Sequence, residues 1–374
     1  MPLLARMVAF PLSVDVRGGA VSGLGELLAD HRISPGGHVA VAVGEGLGQE
    51  IQAVLRPALS EGEFFEVSGG TVQAAQALAA SLREGSYDAA VGIGGGRTLD
   101  VTKYAASVTG LPLVTVATSL AHDGLASPVA SLEHGDHKGS FGVHTPLAVV
   151  VDLDYVRRSP RDQLRSGLGD ALSNLSALAD WELASRERGD PVDGLAAALA
   201  RSAAESLLHQ SAPLDDESFL TTLAHGLIQG GLSMAVAGNS RPCSGACHEI
   251  SHAIDALHPG RGSHGEQVAV GMLFASFLRD DPRFEVLDAC LHRYGVPRVP
   301  ADLGLTREEF AAAVLRAPST RPDRYTILEH LAMDGARVLD RIDAFVEAVG
   351  AGREANGATP APAGPRADGI SSPR

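Results

Sequence analysis

Only three cysteines, Cys243, Cys247 and Cys290, occur in 374 residues. That is too few to frame such a chain with disulfides and fits a reducing compartment. No stretch approaches the roughly 18 consecutive apolar residues of a spanning helix, and the opening segment, broken by Pro11, lacks the apolar core and cleavage site of a secretory leader. Both absences lead to the expectation of a cytoplasmic protein with no membrane partner. Positive charge is also short: 30 Lys and Arg face 45 Asp and Glu, a formal net charge of −15. Such a field repels phosphate backbones, so no nucleic-acid partner is expected. Lysine is scarcest of all, with Lys103 and Lys138 the only two, and each therefore calls for a reason. What remains is 45% hydrophobic and 20% charged residues, the composition of a folded globular chain.

The length predicts two domains at roughly 150 residues each, and the texture changes where they should meet. Up to about residue 155, β-branched runs alternate with Ala/Leu-rich stretches, the pattern of βαβ units on a parallel sheet. Strands are expected at 38–43, 64–67, 88–93, 111–117 and 147–151, with a hairpin within 127–143. From 156 to 349 the segments 164–188, 194–209 and 219–236 carry helical spacing and almost no β-branched runs, which predicts an all-α domain. Residues 350–374 are rich in Ala, Pro, Gly and Ser without periodicity and read as a disordered tail.

Three constellations carry chemistry. Gly94, Gly95, Gly96, Arg97 and Thr98 follow a strand and open a helix, so bare backbone amides and a helix N-terminus can receive a pyrophosphate. The run matches neither the dinucleotide fingerprint nor the P-loop. The segment from Thr118 to Pro128, with Ser119, Leu120, Ala121, His122, Asp123 and Ser127, leaves the carboxyl end of the next strand, where open α/β sheets bind ligands. In the helical half, His248 and His252 share a helix face, and His264 follows on a neighbouring helix. With Asp170 as carboxylate, these imidazoles can form a three-ligand site with an open position. The stretch from His248 to His252, HEISH, also matches the zinc-peptidase motif with Glu249 as base, which would leave the glycine loop unexplained. Zinc held by Cys243 and Cys247 does not follow the usual spacings, so both cysteines are read as small buried residues.

Taken together, GGGRTLDVTK, TSLAHDGLASP, SGLGD, SRPCSGACHEISH, HGEQVAVGM and RPDRYTILEHL, in this order, resemble the sn-glycerol-1-phosphate dehydrogenase family. That family lies within the iron-type alcohol dehydrogenase, glycerol dehydrogenase and dehydroquinate synthase group. The resemblance implies a dehydroquinate synthase-like fold with a Rossmann-like cofactor domain. It also implies reversible NAD(P)-dependent reduction of dihydroxyacetone phosphate, or a related phosphorylated or phosphonate carbonyl, in a homo-oligomer. Dehydroquinate synthase-type cyclisation or a cyclitol substrate is the alternative. By resemblance, Gly94 to Thr98, Thr118 to Ala121 and Ser127 line NAD(H) or NADP(H). Asp170, His248 and His264 hold one divalent metal, zinc before iron or nickel, and Asp123, His252 and Asp170 meet the substrate. Lys138, Arg241 and Arg324 are phosphate partners by charge alone. Ala246 and Cys247 stand where the family usually carries Ser and Glu before the histidine.

Overall fold

The computed structural model describes residues 10–355 except His31 and Asp136. Its strands are β1 (Ser13–Arg17), β2 (Val39–Gly44), β3 (Glu63–Val67), β4 (Ala89–Gly94), β5 (Leu113–Ala117), β6 (Val129–His134), β7 (His137–Gly142) and β8 (Ala148–Asp152). Six form one parallel sheet in the order β1-β8-β5-β4-β2-β3, and β6 and β7 pair antiparallel as the expected hairpin. Strands β2, β4, β5 and β8 are buried throughout. Helices cover both faces of such a sheet, so runs like VAVAV carry no polar alternation. Strand β1 was not anticipated: it is short, lies at the edge, and mixes Asp15 and Arg17 with its valines.

Beyond β8 the chain is helical. The helix Arg161–Arg188 runs for 28 residues, and Gly194–Leu208, Glu217–Ala237, Ala246–Leu257 and His264–Leu278 pack around it. The helix Glu217–Ala237 is long and apolar enough to cross a membrane by length and composition, but 67% of that window is buried inside the protein. The last helix, Gly335–Ala355, passes through Gly350. Helix therefore replaces the expected tail up to residue 355, and residues 356–374 lie outside the described part.

The sheet and the helices do not keep separate interiors. One apolar cluster joins Ala117, Leu120, Val149 and Val151 to Leu168, Leu172, Leu223, Ile250 and Val268. The carboxyl ends of the strands thus abut the helical layer along a fixed seam, and the chemical residues lie on it.

Candidate active site

Strand β4 ends in Gly94, and the helix Gly96–Thr109 begins at once with Gly95 as its cap. A Cβ on Gly96 would lie 2.0 Å from His122 Nε2, so the bare glycine leaves room for the His122 ring of the loop after β5 against the loop after β4. A cleft of about 570 Å³ follows these strand ends. Gly94, Gly95, Gly96, Arg97, Thr98, Thr118, Ser119 and Ala121 line it, as expected of a dinucleotide site, together with Glu45 from the end of β2. Two expected members sit elsewhere. Leu120 is fully buried in the core. Ser127 faces a second cavity, because its hydroxyl is drawn toward Val129 O at 3.2 Å and the Lys103 ammonium at 3.4 Å. Lys103, fully buried, also donates to Asp100 Oδ1 at 3.0 Å, Gly124 O at 2.6 Å and Val129 O. Its charge ties the loop after β5 to the helix, leaving none for a ligand.

The second cavity, about 270 Å³, is lined by Asp123, His248, His252, His264 and Arg321, and shares Arg97 and His122 with the cleft. Three helices build its metal-like corner. Asp170 comes from Arg161–Arg188, His248 and His252 from Ala246–Leu257, and His264 opens His264–Leu278. Two of these helices cross almost in contact, since a Cβ on Gly265 would sit 1.8 Å from Ser166 O and one on Gly169 2.3 Å from Gly265 O. Asp170 Oδ1 lies 3.5 Å from His248 Nε2 and 3.8 Å from His264 Nε2, and one donor atom from each of the three residues falls within 4.8 Å of the others.

Hydrogen bonds turn these donors inward. Gln267 Nε2 donates to Asp255 Oδ1 at 2.9 Å and Arg261 O at 3.1 Å, so its Oε1 faces Ser251, whose hydroxyl donates to it at 2.7 Å. The Ser251 oxygen is then left to accept from His264 Nδ1–H at 3.2 Å. His264 Nε2, facing Asp170, therefore keeps its lone pair, as a ligand nitrogen must. His248 Nδ1 lies 3.4 Å from the Cys247 thiol, and Asp170 Oδ2 accepts the Asp123 backbone N–H at 2.9 Å. Burial would raise the Asp170 carboxyl, but His248 and His264 hold it low, to about 2. Burial, then the neighbouring Asp170, pushes Asp123 up. His252 accepts from Arg321 Nη2 at 3.2 Å, and burial followed by that guanidinium drives it down to about 2, which keeps it neutral. A carboxylate and two inward nitrogens beside a glycine-loop cleft suit a divalent ion next to a bound dinucleotide.

The profile of the iron-containing alcohol dehydrogenases matches residues 15–160. Glycerol-1-phosphate dehydrogenase (NAD(P)+) of Hyperthermus butylicus is 31% identical over 349 residues, covering 91% of this chain and 99% of that protein. The chain belongs to the glycerol-1-phosphate dehydrogenase family. The Archaeoglobus fulgidus member is 37% identical over 283 residues, 74% of this chain and 81% of its own. The fold is that of a probable glycerol dehydrogenase from Sinorhizobium meliloti, with a TM-score of 0.76 at 23% identity, covering 93% of this chain and 100% of that one.

Within a glycerol-1-phosphate dehydrogenase family member, Glu249 of HEISH does not face the cavity. It is fully buried, accepts from Thr326 Oγ1 at 3.1 Å, and is pushed up to about 9 by burial and then Glu329. A peptidase base needs the opposite placement. The cysteines are likewise inside: Cys243 lies 3.2 Å from Ser233 Oγ and 3.3 Å from Gly230 O. Of the charge-based phosphate partners, Arg241 pairs with Asp190 at 3.0 Å, Arg324 is buried against Ser244 O and Ser240 Oγ, and the Lys138 side chain lies outside the described part. Arg321, from the RPDRYTILEHL segment, was not singled out in the sequence. Nothing local separates it from Arg324, three residues on; only tertiary packing puts it on the cavity.

Proposed function

We propose that this chain is a metal-dependent NAD(P)H oxidoreductase that interconverts dihydroxyacetone phosphate and sn-glycerol 1-phosphate, with zinc held by Asp170, His248 and His264. The observation that carries this reading is the junction at Arg97 and His122 of a glycine-loop cleft and a cavity lined by His248 and His264, whose ring nitrogens have a carboxylate oxygen of Asp170 within 4.8 Å. When bound, the ion polarises the reacting C–O bond and the nicotinamide exchanges the hydride. The chain's own part is to hold both reactants in line. Asp123 and His252 flank the reacting end of the substrate, and neutral His252 offers Nδ1–H to an oxygen there while Arg321 occupies Nε2.

Glu45 supports NAD(H) as the dinucleotide. It lies exposed at the end of β2, the strand beside β4, where a carboxylate accepts from the ribose 2′-hydroxyl and repels a 2′-phosphate. The same reading divides the chain into a cofactor half, 1–155, and a metal and substrate half, 156–349, in a cytoplasmic homo-oligomer without nucleic-acid or membrane partners.

Near-ultraviolet absorbance of the reduced cofactor tests it. Zinc-loaded protein should consume NADH with dihydroxyacetone phosphate, and EDTA-treated protein should not. Metal-independent turnover, or none with zinc present, rejects the reading.

A further inference from the structure

The catalytic cavity holds charge of both signs. Asp123 lines it and Asp170 faces His248 and His264 at its metal-like end, while the same lining carries the guanidinium of Arg321, with buried Arg324 three residues further on. Arg324 Nη1 donates to Ser244 O and Nη2 to Ser240 Oγ at 2.6 Å. Both serines line the cavity, and Ser240, having accepted from Arg324, keeps its own O–H to donate. Arg321 spends one N–H on His252 Nε2 at 3.2 Å. It forms no ion pair among the described residues, although Glu133 and Asp255 line the same space. A guanidinium carries five donors in a planar fork, so among the described residues most of this fork meets no side-chain acceptor, in a chain whose net charge is −15.

Two guanidiniums so close repel each other, and the burden falls on the buried one: burial, then Arg321, lowers Arg324 to about 10. An anion against Arg321 relieves that repulsion and fills the empty donors with charge-assisted bonds. Arg321 also belongs to the outer chamber of about 650 Å³ bounded by His252, Asp255, Pro259 and Gly260. It therefore stands where the inner cavity meets this outer chamber, and the lining of the dinucleotide cleft does not include it.

We propose that Arg321, with Ser240 and Ser244 in the same cavity lining and Arg324 bonded to both serines, is the anchor for the anionic end of the substrate and sets the preference for phosphorylated over neutral carbonyls. This rests on the oxidoreductase reading above. The substrate then lies across the cavity with its oxygen-bearing carbon toward Asp170, His248 and His264 and its phosphate at the mouth. His252 sits between the two ends, positioned by the same guanidinium.

The test compares wild type, R321A and R321K on dihydroxyacetone phosphate and on neutral dihydroxyacetone, with folding checked by circular dichroism. R321A should lose about a hundredfold in kcat/KM on the phosphorylated substrate and far less on the neutral one, which feels only the loss of the Arg321–His252 contact, since a site built for a polar group discriminates mainly against ligands lacking it. R321K, which keeps charge without the fork, should fall between. Equal losses on both substrates would mean that Arg321 serves His252 or the fold, and would overturn the proposal. A second readout is independent of turnover: inorganic phosphate titrated calorimetrically should bind wild type and bind R321A at least about tenfold more weakly. Undiminished phosphate binding also overturns the anchor. A wild type that ignores dihydroxyacetone phosphate rejects the oxidoreductase reading instead, and the phosphate titration still decides Arg321.

Discussion

Ser251 decides which nitrogen of His264 faces Asp170. Its oxygen is the acceptor that holds the proton on Nδ1, so Ser251→Ala should weaken zinc about 10–100-fold, read by competition with a chelator. Unchanged affinity would show that the imidazole needs no such support. Glu45 is the corresponding choice on the dinucleotide side. Glu45→Lys should raise kcat/KM with NADPH relative to NADH, and a constant ratio would remove Glu45 from that role. At this scale the sequence was legible wherever chemistry is packed into short segments. The glycine loop and the histidines of HEISH each fall within one short segment, whereas Asp170 of SGLGD was a candidate only as a carboxylate for histidines remote from it in the chain. Ser251, Gln267, Glu45 and Arg321 were not legible, because each acquires its meaning from a partner on another element.

At the scale of elements, the crossing of Arg161–Arg188 and His264–Leu278 brings Asp170 to His264. Gly265→Ala puts a methyl group where Ser166 O already is, and backbone cannot step aside as a flexible side chain can. The helices must part, at a cost of about 1–3 kcal/mol for overpacking. The variant should show a lower Tm and weaker divalent-metal binding together; a variant with undiminished metal affinity would show that the crossing does not set the donor spacing. Lys103 makes a parallel case. Lys103→Met strands Asp100 in the interior and should cost about 3–5 kcal/mol in urea unfolding, whereas a cost near zero would mean that water reaches the carboxylate. The strands β2, β4, β5 and β8 and the long helices were legible from their unbroken apolar runs and their 3.6-residue period. Edge strand β1 was not, because an edge needs only half of that pattern and its five residues supply no more.

At the scale of the whole molecule, the change of texture near residue 155 was visible in the sequence, but the shared interior was not. Apolar residues announce burial without saying against what: the Leu120 side chain is a core residue joining sheet to helices. Because cleft and cavity adjoin on that seam, zinc and NADH should stabilise both halves at once. Saturation at a hundred times Kd adds about 2.7 kcal/mol, so the two ligands together should raise a single thermal transition and EDTA should undo the metal's share. Two separate transitions, only one of them responsive, would show halves that unfold independently. The near absence of lysine gives this molecule a last property. Lys103 is sealed in the interior, and Lys138 lies on β7, whose Ser140 lines the mouth of the catalytic cavity. An amine-directed dye thus cannot reach Lys103 while the fold holds, and labelling at that position reports unfolding.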